Sequence, residues 1–185
     1  MNKPALIDFL QQGFEEVASL ANGTPKASFY CKPADNVWSA AENVQHLTQS
    51  VQPLNRLFGR PKSYMEEKWG TSRRSSRSYE GLIETYHKAL GNGATAVTAP
   101  GAFVPLTVPA ETADLLHDFR LTNDALIVCL SDWSEDELDK YLIPHPLMGP
   151  LTVREMLLFT AYHTRHHLEI MEKRAGLKAG KEMSK

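Results

Sequence analysis

The segment Ala161-Tyr162-His163-Thr164-Arg165-His166-His167-Leu168-Glu169-Ile170 gathers three of the chain's seven histidines. On a helix, residues four apart lie on one face about a turn apart, so His163 and His167 can aim their rings at one point. The same periodicity lines up Met156, Thr160, His163, His167 and Ile170 as an inward stripe. His166 is rotated off that stripe by roughly 100°, yet it can pair with His163 at i,i+3, so spacing favours the His163/His167 pair only modestly. Two imidazoles are half of a tetrahedral metal site, and a further ligand has to come from elsewhere in the chain. His46, flanking the apolar stripe of its own helix, is the best candidate; His87, His117 and His145 compete. His145 lies between Pro144 and Pro146 and reads as a loop residue, while His87 and His117 fall at solvent-edge positions. The residue after His163 is Thr164 rather than glutamate, which removes the general base of the HExxH metalloproteases.

These histidines need helices to position them, and the hydrophobic pattern is helical throughout. Leu6, Phe9, Leu10, Phe14, Val17 and Leu20 predict an amphipathic helix over about 5–20, ending at Asn22-Gly23. A loop with Pro25 and Pro33 follows. Ser39 and Glu42 have capping-box spacing and open a helix with Val44, Leu47, Val51, Leu54 and Phe58 on one stripe, stopping near Gly59 and Pro61 and kinked at Pro53. The capping box is the simpler role for Glu42, ahead of one supporting a ligand a turn away. A third helix is expected over 78–90, a long loop over 94–108, and a fourth helix from Pro109, which suits a first turn, through Leu130. Ser134/Glu137 and Thr152/Glu155 offer two more capping boxes, the second opening a last helix to about Arg174. Strand is limited to a short extended piece near Tyr141-Leu142-Ile143. The expected architecture is therefore all-α, one helical-bundle domain over 1–175 with a Lys-rich flexible tail over 176–185.

Composition narrows the function classes. The chain has 185 residues, 42% hydrophobic and 23% charged, with a formal net charge of −2, values ordinary for a globular protein. Arg73, Arg74 and Arg77, preceded by Lys68, form the tightest basic cluster, and in Ser-rich surroundings they read as a solvated loop. Neither a basic groove nor aromatic-studded strands argue for nucleic acid. No apolar run approaches the ~20 residues of a membrane span, and the N-terminus alternates polar and apolar residues too early for a signal peptide. With two cysteines, Cys31 and Cys129, a reducing, cytoplasmic compartment is expected. Cys129, inside Ala-Leu-Ile-Val-Cys-Leu, reads as a buried structural thiol.

Two segments carry a family resemblance. Trp38-Ser39-Ala40-Ala41-Glu42-Asn43-Val44-Gln45-His46-Leu47 resembles the W-S-x-x-E-x-x-x-H-L opening of the second helix in the DinB/YfiT-like superfamily of metal-binding four-helix bundles. His163-Thr164-Arg165-His166-His167-Leu168-Glu169-Ile170 resembles its closing H-x-x-H-H-x-x-x-I segment, and Gly149 to Glu155 resembles the lead-in to that helix. The resemblance spans nearly the whole chain in helix order. It implies a four-helix bundle with short extra turns, a divalent ion (nickel or zinc) on His46, His163 and His167 with His166 adjacent but not a ligand, and a homodimer. The family includes S-transferases and isomerases using bacillithiol, mycothiol or glutathione, and some hydrolase-like members.

Three neutral imidazoles leave a coordination position free, and a metal there can lower the pKa of a thiol or a water. The first is the logic of a thiol S-transferase acting on a small molecule with a low-molecular-weight thiol, which is the leading expectation. The second is that of a hydrolase of a small ester, amide or lactone. A third alternative is a non-catalytic, stress-associated protein with a structural metal. A cleft reaching the metal with a basic rim would favour an anionic thiol; a closed ligand shell would favour the structural role.

Overall fold

The computed structural model describes residues 1–91, 105 and 107–174. Among the described residues the helices are α1 (Lys3–Gly23), α2 (Lys26–Tyr30), α3 (Ala40–Phe58), α4 (Lys62–Trp69), α5 (Tyr79–Gly91), α6 (Thr112–Cys129), α7 (Glu135–Lys140) and α8 (Val153–Arg174), with a 3₁₀ turn at Leu130–Asp132. The architecture is all-α. Four long helices build the core, with α1 against α8, α8 against α3, α3 against α6 and α6 back against α1. Helix α5 lies outside this ring, on α8. The long loop expected over 94–108 and the tail over 176–185 lie mostly outside the described residues.

Local chemistry sets the helix starts. The Asn2 side chain accepts from the Ala5 N–H at 3.0 Å, filling one of the donors that a first turn leaves open. Ser39 and Glu42 form the capping box of α3, with Glu42 Oε2 accepting from the Ser39 N–H at 2.7 Å and Ser39 Oγ from the Glu42 N–H at 3.1 Å. Lys32 pairs with the same carboxylate at 2.8 Å, so Glu42 is spent on the cap. Thr152 and Glu155 cap α8 in the same way, at 3.0 and 3.1 Å. Along α1, Leu6, Leu10, Phe14 and Val17 are buried, and along α8, Met156, Leu157, Leu168 and Met171. Gly13 lets α1 and α8 approach closely, since a β-carbon there would stand 3.4 Å from Thr164 Cγ2.

Several expectations change. Helix α6 begins at Thr112, not at Pro109; the Tyr30 hydroxyl donates to the Pro109 carbonyl at 2.8 Å and tethers that residue to the end of α2. Two short helices, α2 and α4, stand where sequence periodicity gives only loop. The extended piece near 142 is one arm of a hairpin, β1 (Leu142–His145) antiparallel to β2 (Gly149–Thr152), with His145 opposite Gly149. Cys129 is half-buried at the edge of the core rather than inside it.

The arginine cluster is not simply a solvated loop. Glu155, fully buried, receives Arg74 through both guanidinium nitrogens, at 2.5 and 2.8 Å, the Arg77 backbone N–H at 2.7 Å and the Arg77 side chain at 3.3 Å. Burial pushes its carboxyl up, but the hydrogen bonds from Arg74 and from the Arg77 and Thr152 N–H groups outweigh that and hold it below the ordinary range. The clamp fastens the segment between α4 and α5 to the first turn of α8.

Candidate metal centre

Helix α3 carries His46 and helix α8 carries His163 and His167, and the packing of α3 on α8 brings the three rings together. His163 Nε2 lies 3.2 Å from His46 Nε2 and 3.1 Å from His167 Nε2. One nitrogen from each ring falls within 4.8 Å of the others, and no other such group of three metal-ligating side chains occurs among the described residues. Metal–nitrogen bonds of about 2.1 Å at angles between octahedral and tetrahedral would separate two ligand nitrogens by about 3.0–3.4 Å. The two spacings to His163 fall in that range, and the donor set is able to hold a single metal ion.

The surroundings favour neutral His163 and His167 rings, as ligands must be. His46 and His167 are buried and His163 half-buried. Desolvation, reinforced by the neighbouring histidines, drives His163 well below its usual pKa and His167 down to about 2. His167 Nδ1 meets Asn43 Oδ1 at 2.7 Å, while the Asn43 amide nitrogen donates to the Ser39 carbonyl at 2.7 Å. That second bond fixes which way the amide points, so His167 must donate from Nδ1 and present a lone pair at Nε2. The Trp38 ring lies over His46 at 4.9 Å and stacks on His167 at 6.3 Å, and Phe159 stacks on His163 at 5.5 Å.

The remaining histidines stay apart. His166 is exposed and stacks on Tyr162 at 6.0 Å. His87 is exposed and meets the Tyr162 hydroxyl at 3.1 Å, and His117 is exposed on α6. His145 is not the loop residue its flanking prolines suggest. It ends β1, is buried, and has its pKa pushed down to about 4 by desolvation. Asn43 gives one sequence signal, its i,i+3 spacing to His46 on the same helix face. His145 gives none, since the hairpin that buries it depends on distant packing.

A cleft of about 530 Å³ opens beside the triad, with His46 and His163 among its walls; His167 is not a lining residue. Its sides come from α3, α4, α5, β1 and α8, and they are mainly apolar: Leu47, Val51, Leu54, Trp69, Ile143, Met156 and Phe159. The exposed Arg56 and Arg60 lie along it, Arg60 seated over the Tyr64 ring at 4.8 Å. No carboxylate lines it among the described residues, so its fixed charge is positive. A pocket this size suits one small molecule.

A sequence model of the DinB superfamily matches residues 10–171, a span that contains all three clustered histidines. The chain belongs to the DinB superfamily. Its fold is similar to that of a conserved protein from Enterococcus faecalis, with a TM-score of 0.63 and 14% identity over 97% of this chain and 99% of that one. At that identity the likeness concerns the fold. No curated protein matches the chain. Within the DinB superfamily fold, then, this chain offers a histidine cluster able to hold a metal ion and an apolar cleft beside it. No helix among the described residues is long and apolar enough to cross a membrane.

Proposed function

We propose that this DinB superfamily chain is a metal-dependent enzyme of the thiol S-transferase type, with His46, His163 and His167 holding nickel or zinc and a low-molecular-weight thiol as co-substrate. The observation that carries the reading is the cleft. It reaches His46 and His163 at one end and has two guanidinium groups farther along. A structural metal would need no such opening. When bound, the ion would act as a Lewis acid that makes a thiol acidic enough to ionise at neutral pH.

The chain's own residues set the remaining requirements. Asn43 and Ser39 hold the His167 lone pair toward the cluster. Trp38 and Phe159 shield the rings from water on either side. Arg56 lies ten residues beyond His46 on α3, about 15 Å along the helix axis, so a thiol reaching both ends would be elongated and anionic at the end away from sulfur. A hydrolase would call on a base to take the proton from water, and the absence of a carboxylate among the described lining residues favours the thiol.

The test begins with metal analysis of protein purified without a histidine tag, followed by a thiol-transfer screen using bacillithiol, mycothiol and glutathione with and without that metal. Metal-dependent consumption of one thiol is expected, and Arg56→Ala with Arg60→Ala should raise its KM without lowering metal affinity. Stoichiometric metal with no thiol turnover, and hydrolysis of a model ester instead, would overturn the transferase reading.

A further inference from the structure

His145 takes no part in the cluster, yet its ring is held on both sides within the cleft. Its Nδ1 accepts backbone N–H bonds from Leu147 and Met148, both at 3.2 Å. A ring nitrogen that accepts two N–H bonds carries no proton, so the proton of the neutral ring sits on Nε2. Rotating the ring by half a turn would point a C–H at both donors, so the hydrogen bonds themselves settle its orientation. The ring is edge-on to Phe159 at 4.4 Å and to Tyr86 at 6.4 Å, which blocks any swing that would keep the turn intact. Among the described residues, Nε2 has no hydrogen-bond acceptor and is not a fully buried atom, and the side chain lines the same cleft as His46 and His163. The structure thus spends two backbone donors to hold one N–H in a predominantly apolar cavity. An apolar ligand that covered this N–H would strip it of water and leave it unpaired, whereas a ligand oxygen placed against it avoids that cost.

We infer that His145 is a positioning residue whose Nε2–H hydrogen-bonds a carbonyl or carboxylate oxygen of the molecule held in the cleft, so that the cleft selects apolar compounds bearing such an oxygen over their hydrocarbon counterparts. The inference rests on the proposed reading of the cleft as the substrate site, but on neither the metal nor the thiol. Phe159 stands between His145 and His163, in contact with both rings. The oxygen is therefore held to one side of the cluster rather than against it.

The probes are 4-phenylbutan-2-one and butylbenzene, which share a phenylalkyl body and differ in one ketone oxygen, titrated into the full chain both zinc-loaded and chelator-stripped. Long-range ¹H–¹⁵N spectra of histidine-labelled protein should show His145 as the Nε2–H tautomer at neutral pH, with that resonance shifting on addition of the ketone. The ketone should bind about tenfold more tightly than butylbenzene in the stripped protein, where zinc cannot contribute. His145→Asn can still accept from the Leu147 and Met148 N–H groups, because asparagine caps such turns through its side-chain oxygen, but it has no donor at the Nε2 position. In that variant the ketone preference should vanish while butylbenzene affinity and zinc affinity persist. An Nδ1–H tautomer, equal binding or no binding of the two probes by the parent, or an unchanged preference in His145→Asn would each overturn the inference. The tautomer measurement needs no variant, so the inference stays open to refutation even if His145→Asn fails to fold. Failure of the thiol screen would leave these results standing, so the two proposals fail separately.

Discussion

Replacing Asn43 by alanine should weaken metal binding although Asn43 never touches the metal position. Its Oδ1 lies 2.7 Å from His167 Nδ1 and is oriented by the Ser39 carbonyl. Alanine removes the acceptor and leaves His167 free to take the other tautomer, which puts a proton where the lone pair is needed. Loss of a partner that orients a metal-bound histidine costs about 10- to 100-fold in affinity, or about 1.4–2.7 kcal/mol. Competitive titration with a zinc chelator measures this directly. Asn43→Asp is the informative companion, because its carboxylate still accepts from Nδ1–H although it loses the bond to the Ser39 carbonyl, so its zinc affinity should fall less than that of Asn43→Ala. Glu42→Ala, one residue away, should cost helix stability through the lost cap, about 1 kcal/mol, and leave affinity nearly unchanged. If Asn43→Ala binds zinc within twofold of the parent while His167→Ala loses it, the tautomer argument is wrong.

Other perturbations follow from the same contacts. His167→Ala should lose far more zinc affinity than His166→Ala, since the His166 ring is exposed and stacked on Tyr162; the reverse ranking in the chelator titration would make His163/His166 the true pair. Metal-free protein should lose stability as pH falls from about 6.5, because a histidine depressed to about 4 in the folded state, as His145 is, takes up its proton first in the unfolded chain. That single group is worth about 3 kcal/mol across the window, read as a fall in urea midpoint between pH 7 and 4.5, and a flat profile would contradict it. Glu155 contributes in the opposite chemical sense but the same direction, its stabilisation being lost only as pH falls further, through its lowered folded pKa. Glu155→Ala should cost about 3 kcal/mol, the low end for a broken buried ion pair, because Arg74 and Arg77 are partly exposed and can turn to water; a urea midpoint matching the parent's would refute the clamp.

Much of the fold was legible because its signals are local. The capping boxes at Ser39, Ser134 and Thr152 fall where the side-chain spacing places them. The stripe of α3 is buried throughout and that of α1 except for half-buried Phe9, while on α8 Met156, Thr160 and His167 are buried and His163 and Ile170 half-buried. The histidine cluster was legible for a related reason. Two of its members share a helix, and the third flanks the apolar stripe of another core helix. What escaped depends on partners far along the chain. Pro109 has good credentials for a first turn, yet α6 starts at Thr112 and Pro109 is tethered to Tyr30 instead. Arg74 and Arg77 look solvated until Glu155, about eighty residues later, is buried beneath them. Helices α2 and α4, of five and eight residues, are too short for periodicity to register. His145 looks like a loop residue between two prolines because nothing nearby in sequence shows that the hairpin will fold it inward.

The three clustered histidines are not equivalent in their access to solvent. His46 and His163 line the cleft, while His167 is backed by Asn43 and Trp38. An ion held there would have to arrive and depart through the same opening that admits the small molecule. Occupancy of the cleft would then act as a stopper, lowering the rate of metal escape without any change in the ligating bonds. Chelators would strip the resting protein faster than the working one, and metal retention would follow the supply of substrate.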